Sequence, residues 1–148
     1  MRSSQGGGQA QIATTRSVRP ADIALPAGYR IEALATGLTF PTSVIVDDHD
    51  IPHVVEAGYS YGEAWTTPRL LRVEPDGQTT VIASGGRNGP WSGGSFANGA
   101  FFVAEGGELE GGRILRITPD GGVRAIVDDL PSFGDHHTTI FSLDGRSG

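Results

Sequence analysis

Residues 69–83, RLLRVEPDGQTTVIA, return at 113–127 as RILRITPDGGVRAIV. Arg69 answers to Arg113, Leu71 to Leu115, Arg72 to Arg116 and Pro75-Asp76-Gly77 to Pro119-Asp120-Gly121, at a constant offset of 44 residues. Such a repeat constrains the fold more than any single residue, because the same segment must find a home twice. In each copy an apolar run leads into Pro-Asp-Gly, which reverses the chain, and a second β-prone run follows, so each copy reads as a hairpin. The stretches ahead repeat more loosely. PTSVIVDDHDIPHVVEAG (41–58) resembles PWSGGSFANGAFFVAEGG (90–107): a strand, a polar turn, then a strand ending in Val-Val-Glu or Val-Ala-Glu. Each unit therefore supplies four short strands in about 44 residues.

A four-stranded unit at this period is the signature of a β-propeller blade. The expectation is an all-β chain forming an incomplete β-propeller, with blade units at about 40–83 and 90–127. YRIEALATGL (29–38) resembles the last strands of the two units and is expected as an outer strand ahead of its own blade. TTIFSLDG (138–145) is expected as the inner strand opening a third blade. Residues 1–22 are expected as a flexible leader and 23–148 as the partial propeller. Helix has little support, because Gly and Pro interrupt every window long enough to hold one. A ring of roughly four to eight such blades needs at least ~175 residues. A chain of 148 residues is therefore expected to be the N-terminal piece of a larger propeller, with uncovered blade faces that invite self-association.

Composition removes several functions. The net charge is −6 with no basic block to offset it, which argues against a nucleic-acid partner. All eleven basic residues are arginine, so neither a P-loop lysine nor a Schiff-base lysine is available. Without cysteine there is no disulfide, thiolate metal site or thiol nucleophile. No apolar run approaches the ~18 residues of a membrane helix, and the first twenty residues show no secretory signal. The compartment is left open.

In an up-down-up-down blade the connections fall on two opposite faces. The DHD turn at 48–50, the FANG turn at 96–99 and both Pro-Asp-Gly turns share one face, where turn chemistry accounts for them. The richer loops share the other: EAGYSYGEAWTTP (56–68), GGRNGPW (85–91), EGGELEGG (105–112) and LPSFGDHHT (130–138). Loops carried by a rigid scaffold are where binding and catalysis usually sit. Within them Asp135, His136 and His137 form the densest polar group. Glu105, Glu108 and Glu110 read as a solvated rim rather than a metal cluster. Tyr59, Tyr61, Trp65 and Trp91 read as packing at the blade tops rather than as stacking platforms.

The segments AGYRIEALATGLTFPTSVIVDD, AEGG, GGRILRITPDG and above all LPSFGDHH resemble the N-terminal blades of the glucose/sorbosone dehydrogenase family, over about residues 25–138. The resemblance implies a six-bladed propeller that oxidises a sugar or sugar-derived aldehyde with pyrroloquinoline quinone (PQQ) and calcium. It makes His136 the catalytic general base, Asp135 a substrate-binding neighbour, and Asn88 a weaker substrate contact from the preceding loop. A neutral imidazole suits the role, because its unperturbed pKa of about 6.5 lies near working pH. The family's quinone-holding cations and calcium ligands belong to later blades, at positions this chain does not have. No metal ligand is assigned, and the chain is expected to be inactive alone. TTIFSLDGRSG, after the histidines, departs from the family pattern. Members are often periplasmic or secreted. Two other readings stand beside this one: a non-catalytic propeller module that assembles with another chain, and a metal-dependent propeller lactonase.

Overall fold

The structure, a computed structural model, describes residues 18–58, 66–107 and 110–132. Eight strands follow one another: β1 (Pro41–Val46), β2 (Pro52–Glu56), β3 (Arg69–Val73), β4 (Thr79–Ser84), β5 (Trp91–Ala97), β6 (Ala100–Glu105), β7 (Gly112–Ile117) and β8 (Val123–Leu130). They form two antiparallel sheets, β1-β2-β3-β4 and β5-β6-β7-β8, each in simple sequence order. The all-β expectation holds. The described residues include one short 3-10 turn, Pro20–Asp22, as their only helical element, and the two sheets do not close into a ring.

Local chemistry sets the turns. Gly77 and Gly121, the third residues of the two Pro-Asp-Gly segments, have φ of +79° and +91°. Only glycine adopts such angles without steric cost, and the Gly77 and Gly121 amides donate to the Glu74 and Thr118 carbonyls at 2.9 and 2.8 Å. Asn98 and Gly99, both at positive φ, join β5 to β6 through the two-residue turn that matches strand twist. At the β1–β2 turn the Asp47 carboxylate accepts from the His49 and Ile51 amides, both at 2.9 Å. Partial desolvation opposes ionisation of Asp47, yet those amide bonds outweigh it and hold its pKa below the usual value.

The pairing rows show that the sheets are copies of one unit. On one side of the first sheet, its front, Ser43, Val55, Leu70 and Ala83 pair in succession; on its back, Val44, Val54, Leu71 and Val81 do so. In the second sheet the row matching the back is Gly94, Val103, Leu115 and Ala125. The row matching the front contains Ala104, Ile114 and Val127. Even the irregularities repeat. The register slips between Leu70 and Leu71 and again between Ile114 and Leu115, leaving Ile82 and Ile126 as the extra residues of equivalent bulges.

The front of the first sheet lies on the back of the second. Ile45, Val55, Leu70 and Ala83 share one buried cluster with Trp91, Phe101, Val103, Leu115 and Ile117. The sheets run closest at their first strands, β1 beside β5, with β2 also reaching β5. Gly94 sits at that approach: a Cβ there would lie 2.4 Å from the Ile45 Cδ1, so a side chain would have to displace the neighbouring sheet. Leu70 and Leu71 are adjacent yet both buried. One faces the second sheet, and the other joins Val54 and Val73 beneath Ala35 and Leu38.

That last contact corrects the reading of 29–38 as an outer strand. The segment forms no ladder with any described strand; instead Ala35 and Leu38 lie across the back of the first sheet. A strand exists by virtue of the hydrogen bonds of a neighbour, and β-prone composition alone does not provide one. The expected inner strand at 138–145 lies outside the described residues.

His53 is the one buried histidine among the described residues, 3% exposed. Its Nδ1 lies 3.0 Å from the Ile51 carbonyl, and its ring is 4.5 Å from the Phe101 ring at a 55° tilt. Burial pushes its pKa below the ordinary 6.5. The unfolded chain therefore binds a proton on this residue more readily than the folded one does. Its contribution is fully present above pH 6.5 and is lost as pH falls from there through the lowered folded value. We expect the urea midpoint to fall between pH 7 and pH 5, and to fall less in His53→Gln. Equal slopes in the two proteins would show that His53 is not the group responsible.

Candidate functional site

Hydrogen bonds gather the loops expected on one face. The Trp91 amide donates to the Ala57 carbonyl at 3.1 Å, joining the β4–β5 connection to the β2–β3 connection. The Gly107 amide donates to the Asn88 carbonyl at 2.8 Å and Gly106 to Pro90 at 2.6 Å, joining the same connection to the β6–β7 loop. The Ser132 hydroxyl, buried, donates to the Gly107 carbonyl at 2.9 Å. The chain three residues before Asp135 is thus anchored on the loop that Asn88 holds. Asp135, His136 and His137 lie outside the described residues, as do Tyr59, Tyr61, Trp65 and Glu108.

Asn88 is 6% exposed, and its amide faces the protein. Nδ2 donates to Glu105 Oε2 at 2.8 Å and to the Gly111 carbonyl at 3.1 Å, while Oδ1 accepts the Glu110 amide at 2.7 Å. One side chain therefore fixes both the β6–β7 loop and the orientation of the Glu105 carboxylate. A turn-forming asparagine would account for none of these bonds.

The Glu105 carboxylate is the centre of the cluster. Beyond Asn88 it accepts from Trp91 Nε1 at 3.1 Å and from Arg113 Nη1 at 3.5 Å. Arg113 also pairs with Glu110 and, through Nε, with Asp128 at 3.3 Å. Bonding to Glu110, backed by the charges of Glu105 and Asp128, pushes the Arg113 pKa further up. The reading of Glu105 as a solvated rim residue is corrected: it is 4% exposed. Trp91, fully buried, is a packing residue whose N–H is satisfied by that carboxylate.

The first sheet carries the same device. Glu56, also buried, accepts from the Thr39 amide at 2.6 Å and from Arg69 Nε at 2.8 Å. Glu56 pairs with Arg69 across β2 and β3 as Glu105 pairs with Arg113 across β6 and β7. A buried carboxylate must be paired and hydrogen-bonded to be tolerated, and both units solve this with the arginine directly opposite. The signal was in the sequence: a glutamate closing the second strand and an arginine opening the third, in both units.

A second feature lies at the opposite end of the sheets, among the turns. A cleft of about 420 Å³ is lined by Asp47, His49, His53, Arg72, Phe96 and Phe101, among others. With Nδ1 serving the Ile51 carbonyl as donor, the neutral His53 ring keeps Nε2 as its basic nitrogen. No sequence pattern marks this cleft, since His53 reads as one polar residue within an apolar strand.

Among the described residues no three His, Asp or Glu side chains converge as a metal site requires. No family model, no curated protein and no solved structure matches the chain.

Proposed function

We propose that the chain supplies two consecutive blades of a β-propeller of glucose/sorbosone dehydrogenase type, with its loop face toward the sugar. One observation carries the blade part of this reading. The two sheets, alike in strand order, in pairing rows and in the bulge at Ile82 and Ile126, are stacked front to back with their first strands nearest, the relation between neighbouring blades around an axis. The sugar part rests on LPSFGDHH.

On this reading His136 takes the hydroxyl proton of a sugar or sugar-derived aldehyde as a neutral imidazole, and Asp135 orients that hydroxyl. Asn88 acts first by holding the loop against which Ser132 is anchored. Any contact it makes with sugar would come at the expense of one of those bonds. The quinone and calcium of the family are not assigned to residues of this chain. No metal-type cluster is present among the described residues; Arg69 and Arg113 on the loop face are each engaged by a buried carboxylate, while Arg87 of the β4–β5 connection is exposed on that face. On this reading other blades hold those groups.

The inward amide of Asn88 also suits a module that binds or assembles without catalysis, which is the second reading. A chimera separates the two. When residues 23–132 together with 133–138 replace the corresponding blades of a glucose/sorbosone dehydrogenase, we expect dye-linked sugar oxidation with PQQ and calcium. His136→Ala should lower its rate by about 10²–10⁴-fold. A folded, quinone-binding chimera that oxidises nothing would favour the module, and full activity of His136→Ala would remove His136 from its role.

A further inference from the structure

We infer that the cleft among the turns binds a small, flat, uncharged ring ligand that presents a hydrogen-bond donor and a carbonyl side by side, as a cyclic amide does. The site lies at the opposite end of the sheets from the loop face and is independent of any sugar chemistry there.

The cleft, of about 420 Å³, falls within the size range of small-molecule sites, which are mostly apolar with a few placed polar groups. Its walls come from both sheets. Ile82 belongs to the region of the first, Phe96 and Phe101 to the second, and the two phenyl rings meet edge to face at 4.9 Å. Two polar side chains stand side by side on the wall, because His53 and Arg72 pair directly across β2 and β3. Neither has its hydrogen bonds met. His53 is 3% exposed and gives Nδ1 to the Ile51 carbonyl, while Nε2 has no partner among the described residues. Arg72 lies 3.6 Å from Glu74 but donates no hydrogen bond to a described residue, and its Nε is buried without an acceptor. Buried polar groups left in this way are rare in native structures, and each calls for an explanation.

The second unit does without the imidazole. There Phe102 pairs with Arg116 as His53 pairs with Arg72, so a hydrocarbon ring fills the equivalent place and the four-stranded unit does not itself require a histidine. The chemistry of the wall selects the ligand. Burial keeps His53 neutral at pH 7, so Nε2 is an acceptor and calls for an N–H or O–H. The guanidinium carries donors alone and calls for an oxygen. An anionic oxygen is disfavoured, since Asp47 and Asp48 line the same cleft and Glu74 stands beside Arg72, three carboxylates about one guanidinium. A cation would be repelled by Arg72 and would leave its donors unmet. An uncharged edge carrying donor and carbonyl together answers both groups, with the ring body against Phe96 and Phe101.

Titration of the chain with 2-pyridone, followed through the imidazole resonances by NMR, tests this. The His53 signals are those lost in His53→Phe, which installs the ring type of the second unit, and circular dichroism reports the sheets. We expect saturable binding that moves the His53 resonances. N-methyl-2-pyridone, which has lost its donor, should bind about tenfold more weakly, the worth of one hydrogen bond, and benzoate should also bind more weakly than 2-pyridone. Arg72→Met keeps an apolar stem and removes the donors, and should weaken 2-pyridone by about tenfold as well. The comparison of ligands needs only the wild-type chain, so it decides the matter where a variant does not fold. Equal affinity for the two pyridones, or His53 resonances unmoved by 2-pyridone in a chain with its sheets intact, would overturn the inference. Unchanged affinity in a folded Arg72→Met protein would do the same. Tighter binding of benzoate than of 2-pyridone would make this an anion site and overturn the uncharged ligand.

Discussion

Glu105→Ala is expected to destabilise the chain by about 3–5 kcal/mol in urea unfolding, because buried donors left without their acceptor cost about 1–3 kcal/mol each. Three donors lose their acceptor at once: Trp91 Nε1, Asn88 Nδ2 and Arg113 Nη1. Trp91 is fully buried and Asn88 nearly so, and neither can turn to water without opening the loop. Arg113 keeps Glu110 and Asp128, which limits the loss on its side. Glu105→Gln should fall between wild type and Glu105→Ala, since the amide oxygen still accepts while the charge is gone. Glu56→Ala should cost less than Glu105→Ala. Arg69, its partner, has a side chain 36% exposed and can recover water in place of the lost carboxylate. A cost below about 1 kcal/mol for Glu105→Ala would place that carboxylate on the surface instead.

Phe101→Ala is the second large effect, at about 3–5 kcal/mol, the usual range for emptying a buried aromatic site. Phe101 reaches between the sheets, 2% exposed, with its ring 4.5 Å from His53 and 4.9 Å from Phe96. The His53 contact joins β6 to β2 of the other sheet, whereas Phe96 lies on the neighbouring strand β5, so the cavity opens at the inter-sheet contact. Phe101→Leu keeps most of the volume and should cost under about 1.5 kcal/mol. The two effects have separate signatures in pH. Water admitted beside His53 would relieve the burial that lowers its pKa, and Phe101→Ala should therefore flatten the loss of stability between pH 7 and pH 5. Glu105→Ala, at the far end of the sheets, should leave that slope unchanged. A Phe101→Ala protein as stable as wild type would mean that the sheets do not meet at this ring.

Whether a feature was legible in the sequence tracks how local its cause is. The hairpin turns at Pro75-Asp76-Gly77 and Pro119-Asp120-Gly121 and the Asn98-Gly99 turn depend on residues within four positions of one another, and their residue types name the backbone angles they need. The two four-stranded units followed from the repeat, since equivalent segments bury equivalent faces. Residues 29–38 carry the composition of a strand, but pairing is decided by a neighbour, and the described chain offers that segment a sheet face instead. Glu105 lies in a glycine- and glutamate-rich stretch that reads as solvated. Its burial is decided by Asn88 and Trp91, which are 17 and 14 residues away. His53 is buried by Phe101 of the other sheet, a contact that no window around residue 53 contains. Asn88 was legible as a residue of the loop face. The direction of its amide was not, because it depends on a carboxylate whose own burial was unseen.

The arrangement of the two sheets within the purified chain, seen by diffraction, is the most direct measurement of the central claim that two equivalent units stack front to back. The expected result is β1 beside β5, with Ile45 against Gly94 and the His53 ring against that of Phe101. The loops carrying Asn88 and Ser132 then lie together at one end of the sheets. Sheets joined through their outer strands β4 and β8, or meeting front to front, would contradict it.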